Sequence, residues 1–208
     1  PEGIPDIKER LFTERATSRG FEGGSIIPIS KLGTMHRFGA GLHPFPERPD
    51  HRPYPSGGAR YPIEIYLSLR LGCVEKMKEG LYHYNVKENS LEHLEGFENE
   101  TRQVRDTVAY EWARQAPGLI IFTAMWRRTT MKYDDFGYHA ILLEAGHIAQ
   151  NLLLLGNLLE IGLCPLVGFS KEGVARVLDI DPMTEGPLYM LGFGAKRGGK
   201  SPIDNSLI

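Results

Sequence analysis

Three short groups of residues in this chain could do chemistry. The first is Lys132-Tyr133, within "RRTTMKYDDFGYHAILLEAGH". A neutral amine can take a proton and a phenol can donate or orient one, so the pair is a usable proton-transfer unit. An unperturbed lysine titrates near ~10.4, and a base role at neutral pH needs burial or nearby cations to bring it down to about 7. Arg127 and Arg128, just upstream, are candidate cations. The plainer reading, two residues reaching from a loop into solvent, stays open beside this one. The second group is "ERATSRGF". Arg15, Thr17 and Arg19 are spaced by two, so in an extended segment they project to one side. Two guanidiniums flanking a hydroxyl grip phosphate well, although alternating charges also mark ordinary solvated faces. Lys196, Arg197 and Lys200 could add counter-charges if the fold brings the chain ends together. The third is "PSGGARYPIEIYL", where adjacent glycines precede a strand pattern. That is either a plain turn or a backbone cradle for a flat or anionic ligand.

Other patterns fail on their own terms. Glu144 and His147 form one Glu-x-x-His, whereas carboxylate-bridged metal bundles need two copies and further carboxylates, so no metal site is expected. "GFGAKRG" suggests a dinucleotide fingerprint, but no helix follows it. No Gly-x-Ser-x-Gly elbow is present. Lys+Arg 24 against Asp+Glu 26 gives a formal charge of -2, which offers nothing to a nucleic acid. Cys73 and Cys164 are too few and too far apart for a disulfide scaffold or a zinc site, and a reducing cytoplasm fits.

The elements that must position these groups can be read from periodicity. Ile63, Ile65 and Leu67 alternate with Glu64 and Tyr66, which predicts a strand over Ile63 to Leu71. "GLYHYNVKENSLEHL" reads as further strand with a turn at "KEN", and Thr101 to Arg114 as helix. "GLIIFTAMW" reads as an apolar strand, "LCPLVGF" as a short turn-bearing segment, and "PLYMLGFG" as a final buried strand. Ser170 is a plausible N-cap for a helix to Leu178. His139 to Leu163 is apolar nearly all round, but Glu144, His147, Gln150, Asn151 and Asn157 would be costly in lipid. It is expected to be a buried core helix and not a membrane span. Strands and helices are interspersed without a βαβ beat, so an α+β fold is expected. Residues 1–208 read as a single domain with a long Pro/Gly-rich loop at 33–54.

In chain order, "RATSRGF", "PSGGARYPIEIY", "KYDDFGYHAILLEAGHIAQNLLL" and "GLCPLVGF" resemble the flavin-dependent nitroreductase superfamily, in particular its SagB-type azoline dehydrogenase branch. The resemblance covers about residues 8 to 195. It implies a nitroreductase-like α+β fold: a central antiparallel-rich sheet flanked by helices around a long buried core helix. It also implies a homodimer with FMN at the subunit interface, and the cysteine usage places the expected protein in the cytoplasm. Carried over by motif, Arg15, Thr17 and Arg19 would hold the FMN phosphate and ribityl chain. The family often has Arg-Arg-Ser there, and Ala16-Thr17 departs from it. Pro55, Ser56, Gly57, Gly58 and Ala59 would run beside the isoalloxazine ring, with Tyr61 near it. Leu166, Val167 and Gly168 would present backbone N–H groups toward flavin N5, and Lys196 and Arg197 would complete the phosphate site. Lys132 and Tyr133 would be catalytic: Lys132 takes the Cα proton of a thiazoline or oxazoline, hydride passes from Cβ to flavin N5, and an azole results. The substrate would be a small molecule or a peptide, with a cyclodehydratase as partner. An NAD(P)H-dependent nitro or quinone reductase, or a non-catalytic flavin- or peptide-binding subunit, are the alternatives.

Overall fold

The computed structural model describes residues 11–44, 46–47, 49–94 and 100–197. Six strands form one sheet in the order β3-β2-β1-β4-β6-β5: β1 (Ile63–Leu69), β2 (Gly80–Asn85), β3 (Ser90–His93), β4 (Gly118–Met125), β5 (Ile161–Leu166) and β6 (Glu185–Ala195). Every neighbouring pair is antiparallel. The α+β expectation and the central antiparallel sheet are therefore correct.

Strand alternation divides the interior into two cores. Ile63, Ile65, Leu67 and Leu69 of β1 and Ile120, Phe122 and Ala124 of β4 face one side. There they meet α1 (Ile29–Ala40) and a long helix, α5 (Phe136–Leu158). Leu119, Ile121 and Met190 face the other side. They are covered there by α2 (Glu100–Asp106), α3 (Glu111–Arg114) and α6 (Lys171–Val177). A further helix, α4 (Trp126–Tyr133), joins β4 to α5.

Several boundaries differ from the expected ones. The supposed 33–54 loop begins inside α1, whose Leu32, Met35, His36, Gly39 and Ala40 are buried at helical spacing. Glycines and basic residues dilute that period in the sequence. Gly39 packs closely on α5, where a Cβ would stand 2.6 Å from Leu152 Cδ2 and displace that side chain. Asn151 of α5 donates to Gly39 O at 3.2 Å and Pro53 O at 3.1 Å, tying the end of α1 to the following loop. "LCPLVGF" is strand, not turn, as far as Leu166: β5 pairs with β6 from Ile161↔Ala195 to Leu166↔Met190. The helix before it stops at Leu158 because Glu160 takes a positive φ of 60° and turns the chain into the sheet. The "KEN" segment is a hairpin turn whose Asn85 Oδ1 accepts from Lys87 N at 3.0 Å. The helix expected over Thr101 to Arg114 breaks into α2 and α3 around the Val108↔Phe169 bridge.

The core helix is buried on one face only. Ile141, Glu144, Ala145, Ile148, Ala149 and Leu152 face the sheet, whereas Phe136 is 81% and Leu143 65% exposed in the single chain. Among the described residues no helix is long and apolar enough to cross a membrane.

Candidate active site

The glycine turn and the Lys-Tyr pair, more than seventy positions apart in sequence, meet in space. Gly58 has φ 62° and ψ 23°, in the left-handed region that disfavours other residues. A Cβ at Gly58 would lie 2.9 Å from both Lys132 Nζ and the Tyr133 hydroxyl. At Gly57 it would lie 3.5 Å from the Tyr133 ring and 3.5 Å from the Ala140 methyl. So the glycines admit Lys132 and Tyr133 from α4 to the main chain of the turn. Ala59 and Tyr61 also have positive φ, 53° and 47°. Such a backbone persists only where surroundings hold it. Here Ser56 Oγ accepts from Tyr61 N at 2.9 Å, and Arg128 donates to Tyr61 O at 3.0 Å. The Arg52 guanidinium lies 4.6 Å over the Tyr61 ring and donates to the Tyr54 hydroxyl at 3.0 Å.

Lys132 and Tyr133 are the last residues of α4, not part of a loop; Lys132 is exposed, with Nζ 5.4 Å from the Tyr133 ring centre. Arg128 does not serve as a free cation beside Lys132, because it is ion-paired with Glu64 Oε1 at 2.5 Å. That carboxylate also contacts His83 Nε2 at 2.9 Å, and these two partners hold Glu64 below its ordinary pKa against the opposing effect of burial.

Beneath the turn sits a group that sequence reasoning passed over. Glu144 is 2% exposed, and burial pushes its carboxyl up to about 7, opposed by a Ser56 hydrogen bond and the Arg52 charge. Glu144 Oε1, Arg52 Nε and Thr129 Oγ1 are buried with no hydrogen-bond partner among the described residues. Orphaned buried polar atoms are uncommon, and three surround this one turn. The signal was present as Glu-x-x-His, but it pointed to a metal. Glu144 is buried and His147 exposed, so the two do not share an environment. No three His, Cys, Asp or Glu side chains converge as a metal site among the described residues.

The second group gathers at the far end of α5. Ser18 N donates to Leu163 O at 2.9 Å, and Phe21 bridges Lys196, so the segment carrying Arg15, Thr17 and Arg19 lies beside β5 and the end of β6. The two basic groups thus come together, as joined chain ends require; Lys200 lies outside the described residues. Lys196 Nζ donates to Asn157 Oδ1 at 2.8 Å on α5, and Arg197 is exposed. Further along β5, Leu166 is buried and Val167 is 69% exposed. The carbonyl of Gly168 accepts from Ala109 N at 2.8 Å, and a Cβ at Gly168 would stand 2.6 Å from the Tyr110 ring.

Within one chain the two groups do not meet. The glycine turn touches Ala140 and Lys196 touches Asn157, which at ~1.5 Å per residue puts about 25 Å of helix between them. The cationic and hydroxyl donors of the second group suit a phosphate. The open backbone of the first group suits a flat ring system.

The chain matches the nitroreductase family over residues 12–195, and it belongs to that family. It is 31% identical over 194 residues to a nitroreductase-family protein of Methanocaldococcus jannaschii, covering 93% of this chain and 95% of that one. It is also 31% identical over 149 residues to the Microcin B17-processing protein McbC of Escherichia coli, spanning 69% of this chain and 54% of McbC. The chain therefore spans about half the length of that peptide-processing relative. The E. coli microcin synthetase McbBCD complex with truncated pro-MccB17 superposes with a TM-score of 0.76 at 25% identity, over 95% of this chain and 76% of the matched one. The chain is thus a nitroreductase-superfamily oxidoreductase related to McbC. Members of the family generally use FMN.

Proposed function

We propose that this chain is an FMN-dependent dehydrogenase that oxidises thiazoline- or oxazoline-like rings, in a peptide or a small molecule, to azoles. The observation that carries this reading is the contact of Lys132 and Tyr133 with the backbone of the Gly57-Gly58 turn. When bound, FMN supplies the two-electron acceptor that aromatisation needs. The chain's own residues supply the rest. Lys132 Nζ takes the ring Cα proton and the Tyr133 hydroxyl orients the ring or the amine. Pro55 to Ala59 and Tyr61 form the floor on which the ring system rests, fixed from below by Ser56, Arg52 and Glu144. Arg15, Thr17 and Arg19, with Lys196 and Arg197, hold the phosphate, and the backbone of Leu166, Val167 and Gly168 borders the ring.

This assignment requires a homodimer, because the two groups lie at opposite ends of α5. The open apolar side of α5, with Phe136, Leu142 and Leu143, is the face a second copy would cover. The McbBCD likeness supports a partner in peptide maturation; our reading makes that partner a cyclodehydratase and the setting cytoplasmic. A second reading, an NAD(P)H-dependent reductase of nitro compounds or quinones, draws on the end-to-end match to the M. jannaschii protein.

Complementation tests the proposal. A variant with Arg15→Ala and Arg19→Ala and a variant with Lys132→Ala are each inactive on an azoline peptide. Mixed and allowed to exchange subunits, they regain about a quarter of wild-type turnover, since half the dimers then hold one intact site. Persistent inactivity of the mixture sinks the shared site, whereas undiminished NADPH-driven nitroarene reduction by the Lys132→Ala variant favours the reductase.

A further inference from the structure

On the side of the sheet away from α5, where β1 ends, a cavity of about 400 Å³ opens between α2 and the Arg114 end of α3. Four arginines line it, Arg70, Arg102, Arg105 and Arg114, against the carboxylates of Glu79 and Asp106; Arg114 is ion-paired with Glu111 at 3.5 Å, which leaves one net positive charge. Arg105 is 4% exposed. Its guanidinium donates only to neutral acceptors: Ser68 Oγ at 2.8 Å, Thr101 O at 2.7 Å, Ala116 O at 3.1 Å and Pro117 O at 3.2 Å. Its Nε is buried with no partner, and among the described residues no carboxylate lies within ion-pair distance of Arg70, Arg102 or Arg105. A buried cation without a counter-ion is costly. Burial, followed by the Arg70 charge, pushes the Arg105 pKa down to about 10, so a second cation compounds the cost of desolvation.

We propose that this cavity binds a small phosphorylated molecule, with Arg105 as the buried anchor of the phosphoryl group and Arg70 and Arg102 as its exposed clamps. A phosphomonoester carries about −1.5 to −2 charge at neutral pH and would supply the counter-charge that Arg70, Arg102 and Arg105 lack. The Arg102 fork can meet two of its oxygens at once, Arg105 adds its unpartnered Nε–H, and a lysine would offer only a point charge. The cavity is far larger than a phosphate ion and falls within the range of small-molecule sites, about 300–1,000 Å³. The organic part of the ester therefore has room beside Thr101 and Asp106. The site is separate from the Arg15–Arg19 group. Arg70 N bonds Pro117 O beside the start of β4, while Ser18 bonds Leu163 on β5, and β6 lies between those strands.

The test is calorimetric titration of inorganic phosphate, then glycerol 3-phosphate, into the full chain with FMN at saturation, so that any flavin phosphate site is filled. Saturable binding is expected, tighter for the ester. It should weaken at least about tenfold in Arg102→Glu and in the Arg70→Ala, Arg102→Ala double variant. Lys132→Ala should leave it unchanged. Arg102 is exposed and makes no described hydrogen bond or ion pair, so its variant keeps the fold even if the double variant does not. Absence of saturable heat from either ligand overturns the proposal, as does binding that Arg102→Glu changes by less than about tenfold.

Discussion

At one end of α5 the chain from Arg52 to Tyr61 is folded tightly on itself, its positive-φ residues held by Ser56, Arg52 and Arg128 and pressed against Lys132 and Tyr133. At the other end, Arg15, Thr17 and Arg19 lie along a strand edge through a few backbone bonds, with Arg19 exposed and Arg15 half-buried. The first region is preorganised: strain, buried orphan groups and close packing leave its side chains few alternatives. The second is an electrostatic surface, whose cations stay hydrated until an anion replaces the water. The contrast teaches what each can contribute. Proton transfer demands fixed atoms, whereas holding a phosphate demands charge and reach.

Substitutions should separate the two accordingly. The largest effect is expected from Lys132→Ala, with azole formation down about 10²- to 10⁴-fold, followed by mass spectrometry of the peptide's loss of two hydrogens. FMN content should not change. Wild-type rates in that variant would remove Lys132 from the chemistry and leave it as part of the turn's packing.

Next is Gly58→Val, which forces a branched side chain into a left-handed backbone and onto Lys132 and Tyr133. Stability should fall by about 1–3 kcal/mol in urea denaturation, and turnover should fall with it. An unchanged midpoint would show that the turn is slack.

Glu144 gives the region a pH signature. Its folded-state pKa, about 7, lies above the ordinary carboxylate value of 4.5, so the folded chain binds the proton more tightly than the unfolded one. Stability should therefore decline as pH rises from about 4.5 to 7 and level off above. Its contribution to that decline is on the order of 2–3 kcal/mol. Glu144→Gln should remove this part of the slope in a pH series of urea midpoints, while Arg15→Ala should leave it. The smallest effect is a control on the far side of the sheet. Ser170 Oγ accepts from Gly173 N at 3.0 Å, and Ser170→Ala should cost about 1 kcal/mol with turnover intact.

Much of this architecture was legible in the residues. Ile63, Ile65 and Leu67 alternate plainly, "GLIIFTAM" is a continuous apolar run, and Ser170 caps a helix as its type suggests. Each depends on nearest neighbours and on period. Helix α1 was obscured because its buried face uses His36 and Gly39, which become core-compatible only against Tyr84 and Leu152. The strand character of β5 depends on its pairing with β6.

The sequence by itself determined which residues could carry chemistry: a lysine beside a tyrosine, a paired glycine, and arginines flanking a hydroxyl, since residue type sets donors, acceptors and charge. Only the tertiary structure decided which of them share a place. It put Lys132 and Tyr133 on the glycines, buried Glu144 beneath them, and gave Arg128 to Glu64. It also set Arg15, Thr17 and Arg19 beside the end of β6, a helix length away. Those outcomes follow from contacts between segments distant along the chain, where burial and packing, and not local periodicity, fix the geometry.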